Sequence, residues 1–188
     1  MPPPPTPPTQ TQISTMIIVG LGNPGKEYEG TRHNVGFLIV NRLAHELGCE
    51  PWKKEKDVAV TKFGSHYLVE PWAYMNASGA ALREWLAFRH LLTIADNDLL
   101  IVHDDLDFPL GDIKSQVNRS AGGHNGVQSI IDALGKQTFE RLRIGIGNNR
   151  ELGIPAEDYV LQQFTSAEAP MIATAVQTAA QILQQRLA

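Results

Sequence analysis

Gly20-Leu21-Gly22-Asn23-Pro24-Gly25 follows directly on the β-branched run Ile17-Ile18-Val19 and leads on through Thr31-Arg32-His33-Asn34-Val35-Gly36-Phe37. The order is strand, glycine-rich turn, polar loop and helix. Val35, Leu38, Ile39, Leu43 and Leu47 fall at steps of three to four, the apolar stripe of an amphipathic helix. Such a strand delivers polar groups to its carboxyl end, where open α/β sheets bind their ligands. Gly20, Gly22 and Gly25 also match the G-x-G-x-x-G dinucleotide fingerprint. That motif needs a helix at once, because the helix N-terminus holds the pyrophosphate. Here Lys26-Glu27-Tyr28-Glu29-Gly30 intervenes without apolar periodicity, which leaves the loop roughly ten residues too long. No second strand ending in Asp or Glu follows at the expected place. The turn therefore reads as a sheet-edge site of another kind.

Working outward, Val58–Phe63 and His66–Val69 flank Gly64-Ser65 as a hairpin. Pro71 breaks the second strand, and Pro71-Trp72-Ala73-Tyr74-Met75-Asn76 forms a loop at its end. Leu82, Trp85 and Leu86 carry a helix that stops before Asp96. Leu99-Leu100-Ile101-Val102 is a continuous apolar run, the mark of a strand covered on both faces, and it runs into His103-Asp104-Asp105-Leu106-Asp107. Ile113 to Val117 reads as an edge strand and Asn118 to Gly126 as a polar loop. Val127, Ile130, Ile131 and Leu134 form a helix closed by Gly135. Leu142 to Ile146 alternates as a strand. A last helix begins near Ala167 behind the capping-box spacing Thr165 to Glu168, with Met171, Ile172, Ala175, Val176, Ala179 and Ile182 inward. Strands alternating with helices specify one α/β domain over residues 16–188, with helices on both faces of its sheet.

Residues 1–15 open on Met1-Pro2-Pro3-Pro4-Pro5 and contain neither a basic start nor an apolar core. They read as a disordered, polyproline-type tail outside the domain, not as a signal peptide, with Met16 a candidate natural start. Cys49 is the one cysteine of 188 residues, so an intrachain disulfide and a thiol metal site are both excluded. That usage suits a reducing, cytoplasmic setting. No apolar stretch is long enough to cross a bilayer, so no membrane partner is expected. The net charge of −4 argues against a general nucleic-acid coat protein. Its distribution is uneven, however. Lys114, Arg119, Lys136, Arg141, Arg143 and Arg150 stand against Asp132 and Glu140 alone, a local basic face able to bind a few phosphates.

Four loops carry unusual polar groups: Asn23 with His33, then Asn76, Asp104, and His124 with Asn125. Three of them directly follow apolar strands, which brings them to one sheet edge. Singly, each asparagine has a plainer use, as a turn residue at Asn23 or a helix cap at Asn76 and Asn125. Jointly they exceed what turn chemistry requires. The chain has no G-x-S-x-G elbow for a serine nucleophile. His103, Asp104 and Asp107 lack a strong metal-ligand spacing. The remaining chemistry is His33 as general base on water, Asp104 orienting its ring, and asparagine amides as neutral donors to an oxyanion. That apparatus suits ester hydrolysis.

These motifs resemble those of bacterial peptidyl-tRNA hydrolases. The likeness rests on Gly20–Gly25, Tyr28, Thr31–Phe37, Pro71–Gly79 with Met75-Asn76, His103–Asp107, Gly122-Gly123-His124-Asn125-Gly126, and Arg141–Gly147. It runs in order from Met16 to about Phe164. The resemblance implies a mixed, mostly parallel twisted sheet sandwiched by helices. It also implies a monomer without metal, cofactor or obligate protein partner. Such an enzyme cleaves the ester between a peptide and the 3′ end of its tRNA, recycling tRNA from peptides dropped in translation. Carried over by position, His33 is the base, Asp104 its partner and Asn23 the third catalytic residue. Asn23, Asn76 and Asn125 hold the peptide, the water or the oxyanion; Tyr28 and Met75 line the cleft, and His124 joins the substrate contacts. Gln116, Asn118-Arg119 and Glu70 depart from the family pattern, so Lys114, Arg119 and Arg143 are the cations available to hold tRNA phosphate. The alternative is a catalytically silent RNA-binding relative of the same fold, which should show changes in the His, Asp or Asn residues or an exposed apolar partner surface.

Overall fold

A computed structural model of the chain describes residues 15–187. The tail expected over 1–15 lies outside these residues except for Thr15. Seven strands form one sheet: β1 (Ile17–Gly20), β2 (Lys53–Glu55), β3 (Val58–Phe63), β4 (His66–Pro71), β5 (Leu99–Asp105), β6 (Ile113–Gln116) and β7 (Glu140–Gly145). Their order is β2-β3-β4-β1-β5-β7-β6. The pairings β4/β1, β1/β5 and β5/β7 are parallel, and β2/β3, β3/β4 and β6/β7 are antiparallel. The mixed α/β sheet read from the sequence is thus present, its parallel strands in the centre and its antiparallel ones at the sides.

The strands' period of two divides the core into two layers. Ile18, Leu68, Leu100, Val102, Leu142 and Ile144 pack with α1 (Val35–Glu46) and α5 (Ala169–Arg186), through Ile39, Leu43, Ala179 and Leu183. Ile17, Val19, Val69, Leu99 and Ile101 face the other way, onto α2 (Ser78–Phe88) and α3 (Asn125–Leu134), through Leu82, Trp85, Leu86, Val127 and Ile130. The β1 turn and α1 touch backbone to backbone. A methyl group at Gly20 would lie 2.5 Å from the Gly36 carbonyl oxygen, and one at Gly36 would strike the Leu21 backbone. This contact fixes the start of α1, and with it His33, against the end of β1.

Several expectations need correction. Pro71 does not break β4; it closes the strand, opposite Val58. The Asp-containing segment after Val102 is not a loop at first, because β5 continues to Asp105. α5 starts at Ala169 and leaves Met171 54% exposed, while Ala180 and Leu183 fill the inner face. The capping-box bonds do form between Thr165 and Glu168, but they close the turn that precedes the helix. β2 and the short α4 (Ala156–Val160) have no counterpart in the sequence pattern. β2 is a charged three-residue edge without apolar alternation, which keeps it from serving as a template for aggregation.

Candidate active site

Asn23 follows β1, Met75 and Asn76 follow β4, and Asp104 is the penultimate residue of β5; these are three neighbouring parallel strands. His33 sits in a 3-10 turn, Arg32–Asn34, directly before α1, and His124 caps α3. The sheet therefore gathers Asn23, His33, Asp104 and His124 at one edge.

Asp104 is 2% exposed, and its Oδ1 meets His33 Nδ1 and His124 Nε2, each at 2.9 Å. The two imidazoles lie 4.8 Å apart. The tautomers follow from the surroundings. His124 Nδ1 accepts from the backbone N–H groups of Gly126 and Val127, at 3.1 and 3.3 Å, as the N-cap of α3. Its proton therefore sits on Nε2 and is donated to Asp104. His33 donates from Nδ1 to the same oxygen, which leaves the lone pair of its Nε2 free. Burial alone would lower the His33 pKa, but the charge of Asp104 and the hydrogen bond to it outweigh burial and raise it. Burial would likewise raise Asp104, yet His33 and His124 hold its carboxyl well below the usual range. Behind them burial pushes His103 well below the usual histidine range, its ring centroid 4.7 Å from that of His124. Its Nδ1 donates to the Asp104 carbonyl at 2.7 Å.

Asn23 is held from three sides. Its Oδ1 accepts from Met75 N at 2.8 Å, its backbone N–H donates to Asn34 Oδ1, and its carbonyl accepts from Asn34 Nδ2, both at 2.9 Å. Its side-chain NH2 has no hydrogen-bond partner among the described residues. Asn34 lies inside the motif read from the sequence, which assigns it no role; the available signal is its adjacency to His33. Asn76 and Asn125 are exposed and cap neither helix by side chain. Met75 is buried, its sulfur against Gly126, while Tyr28 stands at the surface edge-on to Tyr74 with ring centroids 6.3 Å apart. A cleft of about 400 Å³ opens over His33, Asp104, His124 and Asn125, reaching Arg150 and Glu157.

The basic face is smaller than the sequence suggests. Arg143 is 3% exposed, its guanidinium bound to Asp105 and Gln116 and stacked 4.4 Å from the Phe108 ring centroid. Neither an outward strand position nor an open phosphate contact fits it, because loop residues cover this face of β7 as well. Arg141 is buried on the Ser120 carbonyl, and Lys136 pairs with Asp96. Lys114 beside Arg143 is exposed and lies over Phe108, Arg119 is half-buried, and Arg150 is exposed opposite Asp107.

His33, Asp104 and His124 are, among the described residues, the group whose ligand atoms converge as a metal site would, within 4.8 Å. Of His103, Asp104 and Asp107, the cluster considered in the sequence, Asp104 alone belongs to it. A metal would need the Nε2 lone pair of His124. That requires a proton on Nδ1, directed at the N–H groups of Gly126 and Val127. The donor set fits hydrogen bonding better than coordination.

Among the described residues no helix is long and apolar enough to cross a membrane. The family model for peptidyl-tRNA hydrolase matches residues 17–188. The peptidyl-tRNA hydrolase of Bacillus subtilis is 46% identical over 165 residues, covering 86% of each chain. That of Thermodesulfovibrio yellowstonii is 43% identical over 157 residues, 81% of this chain and 82% of the relative. Among solved structures, the Acinetobacter baumannii peptidyl-tRNA hydrolase superposes with a TM-score of 0.80 at 33% identity, covering 92% of this chain and 88% of that one. The family model, the named relatives and the shared fold agree, nothing in them favours the silent alternative, and this chain belongs to the peptidyl-tRNA hydrolase family.

Proposed function

We propose that this protein hydrolyses the ester of peptidyl-tRNA with a water activated by His33, without a metal. The observation that carries the reading is the shared Asp104 oxygen, which fixes both imidazole tautomers and leaves His33 Nε2 as the free base. His33 takes a proton from water as the water attacks the ester carbonyl. Charge then develops on the carbonyl oxygen, where the NH2 of Asn23 is available as a donor, with Asn76 and Asn125 holding the peptide or the water. His33, now charged beside Asp104, returns the proton to the departing ribose oxygen of the tRNA. Tyr28 and His124 border the peptide, and Lys114 and Arg119 meet phosphate while Arg143 supports them from within.

The protein acts as a cytoplasmic monomer in this reading, with peptidyl-tRNA as its partner. Release of peptide from N-blocked aminoacyl-tRNA, with free aminoacyl-tRNA as control, tests it. Cleavage of the blocked substrate alone is expected; absence of cleavage overturns it.

A further inference from the structure

Glu70 is 4% exposed at the end of β4, and its Oε1 accepts from Asn41 Nδ2 at 2.5 Å. Its other oxygen has no partner among the described residues, and Glu70 lines a cavity of about 510 Å³. Trp52, Phe37 and Trp72 line that cavity, the last two rings stacked at 6.5 Å and 12°. Asn23 and Asn34 also line it, so it opens beside the asparagine turn of the active site. An acid directed into an aromatic pocket has no role in the hydrolytic steps above.

We propose that this cavity is a subsite for a cationic side chain, lysine or arginine, of the peptide carried by the tRNA. The chemistry is complementary on each count. Aromatic faces attract a cation, and more strongly once water is displaced. The free Glu70 oxygen accepts its N–H in a charge-assisted bond. No Lys, Arg or His lines the cavity, and Glu29 adds a second acid at its wall. The groups facing Glu70 from each packed element are few. α1 presents neutral Asn41 and Phe37, and β3 presents Ala59 directly opposite. Lys54 of β2 stands in the same row beyond Ala59, exposed and without an ion pair to Glu70. Burial pushes the Glu70 carboxyl up to about 8, although the Asn41 bond opposes the rise. Cation binding must then expel the Glu70 proton, so affinity for a cationic peptide increases with pH toward that value and levels off above it.

The inference rests on the hydrolytic reading, and the experiment separates the two. N-acetyl-tripeptidyl-tRNAs carry one lysine, norleucine or glutamate at either residue upstream of the ester-linked one, and KM is measured from pH 6.5 to 8.5. At one of those positions lysine should lower KM about tenfold relative to norleucine, the gain of one charge-assisted bond. Glutamate should raise KM. The lysine preference should grow with pH and collapse toward unity in Glu70→Gln. Turnover of all three wild-type substrates with equal KM at pH 8.5 overturns the subsite and spares the hydrolase. A lysine preference undiminished in Glu70→Gln overturns the assignment to Glu70. No turnover of any substrate fells both readings together.

Discussion

The Asn34 side-chain amide engages both backbone polar groups of Asn23, accepting from its N–H and donating to its carbonyl, each at 2.9 Å. One side chain thereby sets the orientation of the turn that aims the Asn23 NH2. Asn34→Asp keeps the acceptor and loses the donor, placing a carboxylate oxygen against the Asn23 carbonyl. We expect kcat to fall roughly 10- to 100-fold, as displacement of one oxyanion donor costs on the order of 10²–10³ when complete. KM should change little. Steady-state kinetics on N-blocked aminoacyl-tRNA check this; an unchanged kcat would show that the clamp does not position Asn23.

His33→Ala should lower kcat by ~10²–10⁴ with folding retained. The base must be neutral to act, so in wild type kcat/KM should rise with pH through an apparent pKa above 6.5, the direction that Asp104 imposes. Asp104→Asn removes that charge and should move the acid limb to lower pH while lowering the plateau. The stabilisation from the pair has the opposite sense. It is full below the unfolded His value of 6.5 and is lost as pH rises through the higher folded value. A pH–rate profile in the variant identical to wild type would contradict the pairing.

Exhaustive chelation should leave turnover intact, because His124 Nδ1 is occupied by the N–H groups of Gly126 and Val127. Activity lost to EDTA and restored by a divalent cation would instead make His33, Asp104 and His124 its ligands.

Lys114→Ala with Arg119→Ala should raise KM and reduce the slope of log(kcat/KM) against log[salt], by roughly 0.7–0.9 per lost phosphate contact. Arg143→Met should behave differently. It strands the Asp105 carboxylate that Arg143 now neutralises, so thermal stability should fall by about 3 kcal/mol, the scale for breaking one side of a buried pair. Salt titrations and thermal denaturation on the same samples separate contact from support.

Glu70→Gln should be the more stable protein at alkaline pH. A carboxyl raised from 4.5 to about 8 costs the fold nothing below pH 4.5, increasingly more as pH rises, and on the order of 5 kcal/mol beyond pH 8. The difference in Tm between variant and wild type should open across that interval. Parallel Tm curves from about pH 5 to 8.5 would show that Glu70 ionises normally.

The strand ends are legible in the sequence because Ile17–Val19 and Leu99–Val102 are unmistakable buried strands, and the polar residues after them have nowhere else to go. His33, Asp104 and Asn23 are readable for that reason. Burial of Arg143 is not, because alternation along Leu142, Ile144 and Ile146 defines one face and is silent on what covers the other. The role of His124 as cap is hidden too. Asn125 is the better cap by residue preference, and only the backbone path decides that the histidine precedes the first turn. Glu70 is visible as an anomaly, but its cavity depends on Trp52 and Trp72, which come from segments without a periodic signal.

Arg32 lies one residue before His33, and its guanidinium is held by Glu168, the residue that opens α5, and by the Ile146 carbonyl. The two ends of this ion pair are 136 positions apart in the chain. A chain ending before Glu168 would keep His33, Asp104 and Asn23 yet lack the carboxylate that neutralises the buried guanidinium next to His33.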